Sequence, residues 1–151
     1  MNQERIMKIK MAIAIFICIL SIIGMLVGFG LYADEKEKNQ IEYHDKYIQN
    51  LTEAALEINT YLETNKDLQL HYNMLISDIG AARTMVFVLN DFNEEKQKTI
   101  NSFHYCLVKY PEQMQGKLQE IYTAIDDVSA NLDKGYDEMN SIIESLDLLG
   151  V

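Results

Sequence analysis

Residues 11–33 read MAIAIFICILSIIGMLVGFGLYA, an unbroken run of 23 residues without a charged side chain. A helix needs about 20 such residues to cross the hydrocarbon core of a bilayer. A secretory signal peptide is the competing interpretation, but its apolar region is usually about 7–15 residues long and small residues stand two apart at its cleavage site. Leu31 precedes Ala33 at that spacing, so the run predicts a retained transmembrane signal anchor.

The residues on either side of this run set the predicted orientation of the anchor. Residues 1–10 carry Arg5, Lys8 and Lys10, whereas the DEKEK stretch after the run carries two lysines. Lysine and arginine are enriched on the cytoplasmic side of a membrane helix, and acidic residues contribute little to its orientation. This margin favours a short basic cytoplasmic tail at 1–10 and an exported region at 34–151. We therefore expect a single-pass protein of the plasma (inner) membrane.

Two glycines in the apolar run stand about one helical turn apart. Gly24 and Gly28 form the sequence GMLVG, and small residues at this spacing let two membrane helices approach closely. The pair predicts lateral packing of the anchor, for example in a homo-oligomer. Glycine is also common in membrane helices that lack such a contact, which is the simpler interpretation.

The region after the apolar run is acidic. The whole chain has 23 acidic and 13 basic residues, and setting aside Glu4, Arg5, Lys8 and Lys10 leaves 22 acids and 10 bases, a net charge of −12 for residues 34–151. Nucleic acids and anionic lipid headgroups are bound through an excess of lysine and arginine. The charge therefore argues against both, and it leaves cationic, metal or protein partners open.

Residues 34–151 contain few of the residues that make tight turns. They hold four glycines and one proline, far below the roughly 12% of an average chain. A β-fold of this length could not form its turns with so few, so the composition predicts an all-α domain. The segment is long enough to form one domain with its own core.

Apolar residues in this domain recur at alternating steps of four and three, as they do along one face of a helix. We predict helices at about 34–63, 65–90, 93–110 and 111–149, arranged as an up-and-down three- or four-helix bundle with coiled-coil-like seams. The last predicted helix has the longest seam, interrupted only at Gly135. It consists of Met114, Leu118, Ile121, Ile125, Val128, Leu132, Met139, Ile142, Leu146 and Leu149.

A turn is predicted between the first two helices of the domain. Residues 64–67 read TNKD, which matches the capping pattern in which Thr64 caps the backbone and Asp67 returns the bond. The motif is short, and one continuous helix with a phase slip is the alternative interpretation.

Two further breaks are predicted later in the chain. The stretch from Asn90 to Asn93 offers a break and a cap, although the preceding residues 85–89, MVFVL, would also suit a strand. Pro111 suits the first turn of a helix, and Gly150 suits the position just past a helix end.

No motif in the sequence carries recognisable catalytic, cofactor or metal chemistry. Di-metal bundles need a glutamate three residues before a histidine, but Ile41, Leu68 and Asn101 occupy the positions before the three histidines. The polar residues from Asp127 to Asp133 resemble a calcium loop, but the glycine is misplaced. We therefore predict that the protein is not an enzyme and binds neither a cofactor nor a metal.

Arg83 and Asp78 are the only charged residues between Leu68 and Asn90, in the most apolar predicted helix of the domain. An arginine is a permanent, fork-shaped donor that can hold the carboxylate of a ligand or partner. These two residues are therefore the candidate contacts with a partner or ligand. A pair between Arg83 and an acid on a neighbouring helix is the simpler interpretation.

Three other features have structural interpretations that are simpler than functional ones. His44 lies on a seam and is expected to be a hydrogen-bonded interior histidine rather than a pH switch. Cys106 is expected to be a partly buried free thiol. Eight of the nine tyrosines lie beyond Tyr32, and we expect them at the bundle margins rather than around a ligand.

An N-terminal anchor followed by an exported bundle is similar in plan to the four-helix ligand domains of bacterial chemoreceptors. The resemblance is architectural and rests on no residue motif. It implies an interaction or sensory module that binds a protein partner or a small ligand. The alternative is a structural envelope protein, such as the inner-membrane subunit of a phage lysis pair or a coiled-coil factor of the division machinery.

Overall fold

In a computed structural model of the chain, the structure describes residues 3–64, 66–90 and 92–147. That part of the chain is all-α and contains no β-strand, which confirms the predicted fold class. Its six helices are α1 (Gln3–Thr64), α2 (Leu68–Met85), α3 (Glu94–Lys109), α4 (Pro111–Gln115), α5 (Leu118–Ala130) and α6 (Tyr136–Glu144).

The chain divides into two compact units, Met1–Asn39 and Gln40–Val151. In the first unit, α1 carries the apolar run, and the side chains of that run are exposed on every side of the helix. This helix is long and apolar enough to cross a membrane. It lacks the amphipathic pattern of a helix that packs on a soluble core.

The second unit is a helical bundle. Within it α2 packs against α3, α3 against α6, and α5 against α6. The core also includes side chains from α4 and from the part of α1 that follows Asn39. Burial of each large apolar side chain stabilises such a core by about 1.5–3 kcal/mol. The largest fully buried side chains are Tyr47, Leu51, Ile58, Tyr72, Leu75, Ile79, Ile100, Phe103, Leu107, Met114, Ile121 and Ile125.

The structure corrects the prediction of a single helix at 111–149, because α4, α5 and α6 share that stretch. Gly135 explains the second break. Its φ of 80° lies in the left-handed region, which glycine adopts without strain, and the chain turns there so that α6 packs against α5. The apolar seam continues across the break because both helices direct their apolar side chains into one core.

The helix predicted at about 65–90 is shorter than expected and ends at Met85. The amides of Val88 and Leu89 donate to the carbonyl of Met85, at 3.0 and 3.2 Å, so the chain turns directly after the helix. The alternative prediction of a strand at 85–89 is therefore wrong.

A side chain from α1 holds this turn in place. The amide nitrogen of Gln40 donates to the carbonyl of Val88 at 2.8 Å, and its amide oxygen accepts from the backbone N–H of Asn90 at 2.9 Å. Backbone groups in a turn have no helical partner and must be satisfied elsewhere. Gln40 satisfies two of them at once.

A turn follows α1 as predicted, but the expected capping pair does not form. Thr64 is the last residue of α1, and its hydroxyl donates to the carbonyl of Thr60 at 2.8 Å. Asp67 precedes α2 in a left-handed conformation, with φ of 49°, and its side chain makes no capping hydrogen bond. Instead, the backbone N–H of Lys66 donates to the Thr64 hydroxyl oxygen at 3.4 Å, and the Asp67 carbonyl accepts from the amides of Leu70 and His71, which begins α2.

The later helix starts agree with the sequence prediction. The side chain of Asn93 accepts a hydrogen bond from the backbone N–H of Lys96 at 2.9 Å, which caps α3. Pro111 occupies the first position of α4, where its missing N–H costs nothing. The predicted roles of Leu149 and Gly150 fall outside the described residues.

Candidate functional site on helix α2

Helix α2 has two opposite sides with different chemistry. Its buried side chains, Tyr72, Leu75, Ile79 and Ala82, follow steps of three and four and point into the core. On the opposite side lies a second series with the same steps, which we call the outward face of α2: Leu70, Met74, Ser77, Ala81 and Thr84. Leu70 is 56% exposed and Met74 is 41% exposed, and no residue of this face is charged.

The other long helices of the bundle have charged outward sides, as solvated helices normally do. Their exposed charged residues include Glu42, Asp45, Lys46 and Glu63 on α1, Lys98 and Lys109 on α3, Glu120 and Asp126 on α5, and Asp137, Glu138 and Glu144 on α6. In the turn beyond the end of α2, Phe87 and Val88 are also uncharged and are 58% and 45% exposed. The uncharged outward face of α2 therefore contrasts with the charged outward sides of the other long helices.

Arg83 lies on the side of α2 that faces α3. Its Nη1 is 3.3 Å from Nδ1 of His104, and both side chains are partly buried. Burial and the neighbouring guanidinium lower the pKa of His104, so the imidazole is held neutral and accepts from the arginine. The contact described for Arg83 is thus with a histidine on α3, not with the acid expected from the sequence. Its role as a partner or ligand contact stays a prediction.

Asp78 lies on the other flank of α2, toward α1. Burial, together with the charges of Glu53 and Glu57 on α1, raises its pKa to about 6. The structure therefore separates Asp78 from Arg83, because their neighbours belong to different helices. Its role as a partner or ligand contact also stays a prediction.

A histidine that the sequence analysis did not single out lies close to Asp78 along the helix. His71 precedes it by seven residues, two helical turns, and therefore shares its flank. Nδ1 of His71 is 2.6 Å from Oε2 of Glu57, and the two side chains are only 19% and 14% exposed. The sequence showed the spacing of His71 and Asp78 and that of Glu53 and Glu57. It did not show that the helices carrying these two pairs lie side by side.

Three of the tyrosines belong to the core rather than to its margins. The hydroxyls of Tyr47 and Tyr136 are 3.1 Å apart in a buried contact, and the hydroxyl of Tyr72 donates to the carbonyl of Leu107 at 2.9 Å. Burial raises the pKa of Tyr136 to about 12 and raises that of Tyr47 further. These hydroxyls satisfy one another or the backbone, so they are not available to a ligand.

Two grooves of the bundle are bordered by charged side chains. One of about 430 Å³ lies between α5 and α6, beside Glu120 and Asp137. Another of about 300 Å³ lies at the start of α6 and contains Lys96. This lysine is already engaged, because its ammonium group is 2.6 Å from a carboxylate oxygen of Asp133 and lies over the Tyr136 ring. Among the described residues, no three histidine, cysteine, aspartate or glutamate side chains are grouped to hold a metal.

Two of the simpler structural interpretations can be compared with the structure. Cys106 is a free thiol, as expected, but at 2% exposure it is more deeply buried than predicted. The side chain of His44 is 42% exposed and lies 3.9 Å from Asp45, so the expectation of an interior histidine is wrong. The helix turns a different set of residues toward the core, centred on Tyr47 and Leu51.

The glycines predicted to pack the anchor lie on an open surface of α1. A β-carbon added at Gly24 or Gly28 would meet no atom within 4 Å. Close approach of a second helix at these positions stays a prediction. Searches of protein-family models, curated proteins and solved structures found no match to this chain.

Proposed function

We propose that the chain is a single-pass, membrane-anchored module that binds a protein partner through the outward face of α2. The observation that carries this proposal is the neutrality of that face on a chain with a net charge of −10. The fully buried centre of a protein interface is depleted of charged residues, because each buried charge loses its hydration. Among the long bundle helices, the outward side of α2 meets that condition.

A protein partner suits this surface better than a small ligand does. Small-molecule sites are mostly apolar concavities that enclose most of the ligand. The outward face of α2 is a helix surface, while the grooves on α5 and α6 are bordered by charged side chains. A helix of another protein can lie along such a surface and contact residues one turn apart.

The proposal places residues 1–10 in the cytoplasm and the bundle outside the plasma (inner) membrane. We expect a protease added to intact cells, or to spheroplasts where an outer membrane is present, to digest the region after Asp34. An affinity tag placed before Met1 should stay protected until the cells are opened. Protection of the bundle together with digestion of the tag would show the opposite topology.

A charge placed on the outward face of α2 should abolish partner binding. We expect Met74→Glu to reduce recovery of the bound protein at least about tenfold, because a buried unpaired carboxylate costs more than about 1.4 kcal/mol. The measurement is capture of the tagged full-length chain from its native membrane, followed by quantitative mass spectrometry. Met74 is exposed, so the melting temperature of the variant should stay close to that of the wild type.

Thr123→Glu is the matched control, because Thr123 is exposed on the charged outward side of α5. It should leave both partner recovery and melting temperature unchanged. If Met74→Glu recovers every captured protein as well as Thr123→Glu does, α2 is not the binding surface. A wild-type chain that enriches no protein at all would contradict the proposed function itself and favour a structural envelope role.

A further inference from the structure

Helices α1 and α2 meet along a line of ionisable side chains, which we call the α1–α2 seam. It consists of Glu53 and Glu57 on α1, and His71 and Asp78 on α2. The contact between His71 and Glu57 measures 2.6 Å and is largely buried. Oε1 of Glu53 accepts a hydrogen bond from the side chain of Gln49 at 2.8 Å, a neutral donor that leaves the carboxylate charge uncompensated.

The seam contains three carboxyl groups and no lysine or arginine. With every carboxyl group ionised, these carboxylates hold three negative charges where the two helices meet. Adding one proton to Asp78 reduces this charge to −2. Like charges at short range repel most strongly where water is partly excluded, so protons must strengthen the contact between the helices.

We propose that the α1–α2 seam is a proton-controlled latch, in which acidification tightens the packing of α2 on α1 and neutral or alkaline pH loosens it. The inference goes beyond partner binding, since it concerns the bundle alone. It would nevertheless control how firmly the helix that carries the outward face is held. The titrating group would be Asp78, facing Glu53 and Glu57.

The pKa of Asp78 is raised from its ordinary value to about 6 by burial and by the two glutamates. A carboxyl group whose pKa is higher in the folded chain stabilises the fold when protonated, and this contribution is lost as the pH rises through about 6.

The opposite flank of α2 has a group that acts in the other direction. His104 on α3 faces Arg83, and burial together with the guanidinium lowers its pKa. A histidine of this kind favours folding when neutral, so its contribution is lost as the pH falls through its lowered pKa. The pH profile of the wild type alone would mix these two effects. The difference between a seam variant and the wild type isolates the seam.

The test is thermal unfolding of the full-length chain in detergent micelles, followed by circular dichroism between pH 5 and pH 8. In Asp78→Asn the amide stays neutral throughout, so the variant should melt higher than the wild type at pH 8, by about 5 °C for a domain of this size. At pH 5 the two melting temperatures should agree more closely. Glu53→Gln, at an exposed position, should shift the profile in the same direction by a smaller amount.

Asp126→Asn is the matched control, because Asp126 is an exposed carboxylate on α5 outside the seam. Its profile should run parallel to that of the wild type. Profiles of Asp78→Asn and Glu53→Gln that also run parallel to the wild type would overturn the latch. The latch would also be overturned if the melting temperatures of the wild type and the variant differed more at pH 5 than at pH 8.

Discussion

Replacing Ile125 with aspartate should unfold the bundle. Ile125 is fully buried in the middle of α5, in the core that the helices of the second unit share. The variant would place an unpaired carboxylate among apolar side chains and would also remove the packing of the isoleucine. The two effects together cost several kcal/mol, which is comparable to the whole stability of a domain of this size.

The measurement is the helical circular-dichroism signal of the full-length variant in detergent, compared with that of Thr123→Asp. Thr123 lies two residues earlier in α5 and is exposed, so the same new charge should change its stability by less than about 0.5 kcal/mol. Only the segment that forms the membrane-length helix should keep its signal in Ile125→Asp. A cooperative melting transition like that of the wild type would show that Ile125 is not a core residue.

Gly135→Ala is expected to have the second largest effect. Gly135 has φ of 80°, and a β-carbon there would lie 2.4 Å from the carbonyl oxygen of Ala124 and 2.6 Å from a methyl group of Val128. The left-handed conformation costs an alanine about 1 kcal/mol, and the overlap with α5 adds about 1–3 kcal/mol. We expect the melting temperature to fall by roughly 10 °C.

Gly116→Ala provides the matched control for this substitution. Gly116 has φ of −67°, which any residue adopts. The atom nearest to an added β-carbon would be the Gln113 carbonyl oxygen, at 3.4 Å. Alanine should leave stability unchanged or raise it by about 0.4–1 kcal/mol, through reduced freedom of the unfolded chain. Equal melting temperatures for the two variants would mean that α5 and α6 do not meet at Gly135 as described.

These two positions also show where the sequence was informative and where it was not. The periodicity of apolar residues identified Ile125 as a core residue, because a helix must bury its apolar side. The same periodicity concealed the turn before α6, since two successive helices that face one core keep the same sequence of apolar steps. Gly135 was the visible interruption of the seam, and its meaning depended on the close approach of α5.

The outward face of α2 and the α1–α2 seam could be predicted from the sequence to different degrees. The scarcity of charge between Leu68 and Asn90 was evident from the sequence, and the structure assigned it to one exposed side of α2. The proximity of Asp78 to Glu53 and Glu57 could not be predicted, because no local pattern states which helices pack together. The same holds for Arg83, whose contact is a histidine 21 residues away.

By itself, the sequence determined the helical class of the protein, the membrane-length apolar run and the acidic character of the chain. Each of these follows from composition or from repeats a few residues long, which act on the local backbone and on solvation. The tertiary structure alone decided that residues 111–149 form three helices, that α2 presents an uncharged side, and that Asp78 and His71 face two glutamates. Those features are set by contacts between residues far apart in the chain, and their energies depend on burial that exists only once the helices have packed.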